Sequence, residues 1–95
     1  MNVVHLLGRV FEISSLRYSP AGLPLIDLLI EHESTVEEAG SPRQIQLRLK
    51  ALAIGQIAEQ IAQLELRSHW MFTGFLASSK NSKSVVFHIQ RFQTV

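Results

Sequence analysis

Gln44-Ile45-Gln46-Leu47-Arg48-Leu49-Lys50 alternates polar and aliphatic residues without a break over seven positions. Successive side chains of a strand point to opposite faces, so a period of two reads as a half-buried β-strand. Ile45, Leu47 and Leu49 are expected to face a core, while Gln44, Gln46, Arg48 and Lys50 face outward together. Directly downstream the period changes. Ile54, Ile57, Ala58, Ile61, Ala62 and Glu65 recur at helical spacing, with Gln56, Glu59, Gln60 and Gln63 opposite. That pattern predicts a short amphipathic helix of about three turns, suited to plugging the bottom of a sheet or barrel.

Upstream, Val3 to Leu16 is rich in β-branched and aliphatic residues and carries Gly8. It reads as one long strand bent at that glycine. Ser19-Pro20-Ala21-Gly22 is a turn, and Leu25 to His32 a second strand completing a hairpin. Ser34 to Pro42, with acids, a glycine and a proline, reads as a surface loop. Beyond the helix, Arg67 to Ser78 forms a fourth strand with a bend at Gly74. Ser78 to Ser84 is a polar loop carrying Lys80 and Lys83, and Val85 to Phe92 is the fifth strand. The predicted order is β-β-β-α-β-β. Five strands with one short helix between the third and fourth describe an all-β fold, the Greek-key OB-fold barrel, as a single domain over residues 1–95.

Size and composition narrow the function. A chain of 95 residues holds one core, and 46% hydrophobic with only 18% charged residues excludes disorder. So light a charge on so small a domain points to apolar surface covered by a partner subunit, although scattered surface leucines would give the same composition. No cysteine is present, which removes disulfides, thiol nucleophiles and cysteine-based metal sites. No signal peptide or membrane span is visible, so the expected location is cytoplasmic. The net charge of +1 is far from that of a strongly basic nucleic-acid binder. The distribution is more informative, since no acid interrupts Arg43 to Lys50 or the chain from Arg67 onward.

No catalytic constellation stands out. His5, His32, His69 and His88 lie on four different strands without metal-ligand spacing, and Glu37-Glu38 is a vicinal pair in a turn. The chain is therefore expected to be no enzyme, with neither metal nor cofactor. What remains is a small barrel bearing cations. OB-folds that hold single strands combine a basic groove with stacking side chains. The candidate nucleic-acid-binding residues are Arg17 beside the first turn, Arg43, Gln46, Arg48 and Lys50 on the third strand, and Lys80 and Lys83 in the last loop. An ordinary solvated sheet face would show the same alternation. Tyr18 is placed either to stack on a base or to rest on its own barrel, and Trp70 is assigned to the core.

Several stretches together resemble a known family. Ser19-Pro20-Ala21-Gly22-Leu23-Pro24, Ile30-Glu31-His32-Glu33-Ser34, Glu37-Glu38-Ala39-Gly40 and Thr73-Gly74-Phe75-Leu76 are similar, in order, to the bacterial primosomal replication protein N (PriB) family. The resemblance runs from Asn2 to Thr94. It implies a homodimer of OB-folds that binds single-stranded DNA and joins the helicase PriA, and in many bacteria DnaT, in the replication-restart primosome. Two departures bear on affinity. Gln46 stands where the family is expected to place a stacking tryptophan, and Glu33 stands where a basic residue often follows the Glu-His pair. They leave a second reading open, that of a protein-interaction adaptor for which DNA contact is weak or incidental.

Overall fold

The computed structural model describes residues 1–95. Its strands are β1 (Val4–Ile13), β2 (Arg17–Tyr18), β3 (Pro24–Glu38), β4 (Ser41–Ile54), β5 (His69–Ser78) and β6 (Val85–Gln93), and its helix is α1 (Gln56–Ile61). The sheet order is β1-β5-β6-β4-β3-β2, and β1 also pairs with β3, so the five long strands close on themselves. All neighbouring strands are antiparallel except β4 and β6, which pair in parallel through Ala51 with Phe87 and Leu52 with His88. A closed barrel with one helix between its third and fourth long strands is the OB-fold that the residue pattern predicts. No helix is long and apolar enough to cross a membrane.

The core gathers one or more residues from every long strand. Val10, Ile26, Leu28, Ile30, Ala51, Ala53, Phe72, Phe87 and Ile89 are buried, together with Ala58 and Ile61 of α1. The helix is shorter than its periodicity predicts. Ile54 still belongs to β4, and Gly55 breaks the backbone at φ 94 before α1 begins. Its two buried residues nevertheless close the barrel as the amphipathic pattern requires. Trp70 packs beside that core, its ring edge-on to Phe92 at 5.1 Å.

Of the two strand glycines, Gly8 does different work from what sequence alone indicates and Gly74 marks an irregularity as expected. The first strand is irregular not at Gly8 but between Val10 and Glu12, where the register with β3 slips. Gly8 instead allows close approach, since an added Cβ would overlap Ile30 Cγ2 and lie 3.1 Å from the Glu31 carbonyl oxygen. The irregularity at Gly74 is present, as a register shift against β6. There the His88 backbone passes directly over the glycine and leaves no room for a side chain.

The predicted loop from Ser34 to Pro42 is the largest correction. β3 continues to Glu38 and β4 begins at Ser41, paired residue for residue from Glu38–Ser41 back to Leu25–Ile54. Ala39 and Gly40 make the two-residue turn with φ of 53° and 79°, the left-handed pair that a type I′ hairpin needs. This hairpin outruns the barrel as an arm and contributes to a long axis of 50 Å against 29 and 22 Å. The arm also revises the facing of the alternating stretch. Ile45, Leu47 and Leu49 share a side with the buried Ala51 and Ala53, yet Leu47 is 38% exposed and only Leu49 touches the core. Over the arm there is no core left for them to face.

Candidate nucleic-acid interface

Directly opposed residues of an antiparallel pair point to the same side. The β3–β4 register sets Leu29 against Lys50, Glu31 against Arg48 and Glu33 against Gln46. Gln46, Arg48 and Lys50 therefore share one outward face. β1 extends it, with Arg9 opposite Glu31 and Glu12 opposite Leu29. Arg9, Glu31 and Arg48 form one row across three strands. Arg43 differs in parity, lies opposite Val36 farther out on the arm, and points to the other side. Arg17 sits on β2 opposite Leu25, near the far end of β4. The fold thus unites three of the sequence candidates and separates two.

The acid-free run on β4 does not remain acid-free in space. Arg48 Nε donates to Glu31 Oε2 at 3.0 Å, and Arg9 Nε donates to Glu31 Oε1 at 2.6 Å. The Arg9 guanidinium also reaches Glu33 at 3.5 Å. Arg43 pairs with Glu38 at 2.5 Å, and Arg17 donates to Asp27 at 3.0 Å. These two exposed pairs contribute little to stability, since surface ion pairs are worth about 0–1 kcal/mol. Electrostatically they matter more, because each carboxylate cancels a cation that a phosphate would otherwise meet.

Glu31 is the best-held of these acids, with a side chain only 14% exposed. Hydrogen bonds from Arg9, then from Arg48, hold its carboxyl below its ordinary value, while partial desolvation opposes them. It stays ionised through the neutral range. Lys50, Lys80 and Lys83 make no ion pair. Lys50 lines a cleft of about 460 Å³ with Glu12, Asp27 and Val86. Lys80 and Lys83 are exposed in the β5–β6 turn, which is closed by Ser79 N–H donating to the Ser84 carbonyl at 2.9 Å. Since β6 runs parallel to β4 and Val86 reaches the Lys50 cleft, this turn enters at the same end of the outward face.

Sequence reasoning missed an aromatic group on this face. The slip between Val10 and Glu12 leaves Phe11 unpaired, and its ring lies 3.9 Å from the Arg48 guanidinium carbon and 5.5 Å from that of Arg67. A bulge that re-aims one side chain is a recurrent device of barrels. The signal was present in the spacing, because Arg9 and Phe11 are two residues apart on one strand. Tyr18 is 65% exposed on β2 and lies apart from the Gln46–Lys50 row. None of the histidines joins a metal-binding cluster. His5 Nδ1 meets Thr73 Oγ1 at 3.0 Å, His32 meets the Leu7 carbonyl at 2.6 Å, and His88 stacks on Phe75 at 4.8 Å.

Comparison with known proteins places this barrel. A family model described as another single-strand binding protein family matches residues 2–91. The replication restart protein PriB of Bordetella pertussis is 41% identical over 96 aligned positions, covering 100% of this chain and 90% of that protein. The PriB of Nitrosomonas europaea is 34% identical over 90 positions, covering 94% of this chain and 83% of that one. Among solved structures, PriB from Ralstonia solanacearum superposes with a TM-score of 0.90 at 29% identity, over 99% of this chain and 97% of its own. The single-stranded DNA binding protein of Thermus aquaticus shares the fold, with a TM-score of 0.80 at 22% identity, over 100% of this chain and 50% of its own. With the OB barrel, its long β3–β4 arm and full-length likeness to these proteins in hand, the chain belongs to the single-strand binding protein family as one of its PriB replication restart members.

Proposed function

We propose that this chain, one OB-fold domain over residues 1–95, binds single-stranded DNA as a homodimer and serves replication restart in the cytoplasm. In that role it stabilises the helicase PriA on DNA and helps reload the replicative helicase at stalled forks, with DnaT as a further partner where a bacterium has one. Its contribution is to hold and hand over DNA, without a catalytic step. The observation that carries the reading is the 41% identity to PriB over the whole chain.

The outward face supplies a physical rationale. Lys50, Lys80 and Lys83 are unpaired cations near one end of it, Arg67 is a further one beside Phe11, and Gln46 adds an amide able to contact a base or a phosphate. Arg17, Arg43 and Arg48 act more weakly, because each would have to leave a carboxylate first. The same cancellation favours a second reading, a protein-interaction adaptor whose DNA contact is incidental, with the acidic arm around Glu37 and Glu38 as its docking element.

Fluorescence anisotropy of labelled oligo-dT, with and without PriA, separates the two. Saturable binding by the protein alone, weakening with salt, supports the DNA reading. Retention only when the helicase is present favours the adaptor, and no retention in either case overturns both.

A further inference from the structure

Two arginines converge on one carboxylate at the centre of the face proposed to hold DNA. Arg9 and Arg48 approach Glu31 from neighbouring strands, each binding a different carboxylate oxygen. A guanidinium fork recognises carboxylate and phosphate by the same geometry, a planar set of N–H donors against an anionic oxygen pair. One side of the Arg48 guanidinium is covered by the Phe11 ring at 3.9 Å, yet the Arg48 side chain remains 56% exposed. A guanidinium held flat on an aromatic ring presents its other side as a platform on which a base can stack. Clefts flank the row on both sides. One of about 470 Å³ runs along Arg9, Glu31, Glu33 and Trp70, and one of about 340 Å³ along Glu31, Glu33, Gln46 and Arg48.

The geometry points to a phosphate-and-base subsite made by Arg9, Arg48 and Phe11, which Glu31 holds closed to nucleic acid by occupying the phosphate position with its own carboxylate. The subsite rests on the single-strand reading above and extends it to residues which that reading does not use. Glu33 adds a weaker share of the same masking, being 58% exposed and touching only Arg9 at 3.5 Å. A single strand laid on the face must displace Glu31 from both arginines before its phosphate can enter. Binding is thereby biased toward DNA presented at high local concentration, as when a partner already holds it.

The test compares wild type, E31Q, E33Q and the double variant E31Q/R48A on labelled oligo-dT across a salt series, with E59Q on α1 as a control of equal charge change. Glutamine keeps the shape of Glu31 and removes its charge. Freeing one to two cations should steepen the salt slope of log K by about 0.7 to 1.4 and tighten binding at low salt by about tenfold. E33Q should move in the same direction by less, E59Q should not move, and R48A in the E31Q background should cancel most of the gain. If E31Q fails to melt cooperatively, E33Q carries the test, and its binding must still tighten relative to E59Q. Wild-type binding with unchanged affinity in E31Q and E33Q overturns the mask but leaves the single-strand reading intact. Equal gains in E31Q and E59Q also overturn it, as a net-charge effect. Absence of binding by every variant overturns the single-strand reading, and the mask falls with it.

Discussion

Replacing Lys80 and Lys83 by alanine should flatten the salt dependence of DNA binding, and the structure sets the size of the change. Arg9, Arg17, Arg43 and Arg48 are each held by a carboxylate, which leaves Lys50, Lys80, Lys83 and Arg67 beside Phe11 as the free cations near the outward face. Each phosphate neutralised on a single strand contributes about 0.7 to the slope of log K against log salt, so four cations give about 2.8 per protomer. Raising salt about fourfold should then weaken wild-type binding by roughly 50-fold. With Lys50 and Arg67 remaining, the slope should drop to about 1.4 and the same change should cost only about sevenfold. Arg43→Ala should leave the slope unchanged, because Glu38 already occupies that guanidinium and because Arg43 points to the opposite side of the arm. Anisotropy of a labelled oligo-dT at several salt concentrations reads both slopes. A K80A/K83A variant with the wild-type slope, or R43A flattening it as much, would refute the assignment of free and masked cations.

Three further outcomes follow from the geometry. Gly74→Ala should cost about 3 kcal/mol or more, since the new Cβ meets backbone that no rotamer change can move, 2.8 Å from the His88 carbonyl carbon and 3.1 Å from Ile89 Cα; a urea midpoint within error of wild type would contradict this. Glu31 titrates below its ordinary 4.5 in the folded chain, so its ion pairs stabilise fully above that value, and their contribution is lost as pH falls through the folded value. Urea midpoints at pH 7 and about pH 3 should therefore drop further for wild type than for E31Q, and equal drops would show that the Arg9–Glu31–Arg48 row is not a source of acid sensitivity. Sedimentation equilibrium should give about twice the 10.7 kDa chain mass, consistent with the exposed Val36, Leu47, Leu76 and Val85, and a monomer at micromolar concentration would overturn the homodimer.

The parts of this fold that sequence reveals are those where burial imposes a period. Ala58 and Ile61 sit where helical spacing puts them, and Trp70, assigned to the core, packs against it. The arm was illegible for the same reason. From Ser34 to Pro42 neither face reaches the core, so no alternation marks the strand, and Glu37, Glu38, Gly40 and Pro42 look like an ordinary loop. Charge was legible only along the chain. Arg43 to Lys50 holds no acid in sequence, but the antiparallel register returns Glu31 beside Arg48, 17 residues away. The two-residue spacing puts Phe11 on the face of Arg9, but the slip that leaves it unpaired, and the long-range approach of Arg48 to its ring, are not encoded in composition.

The most direct test of the claim that the β3–β4 outer face holds DNA is an NMR titration of uniformly ¹⁵N-labelled protein with oligo-dT, following every backbone amide. The account predicts that the largest shifts fall on Gln46 to Lys50, Glu31 and the 79–84 turn, with α1 unperturbed. Shifts centred on α1, or on the Arg43–Leu47 side of the arm with the Lys80–Lys83 turn silent, would contradict it.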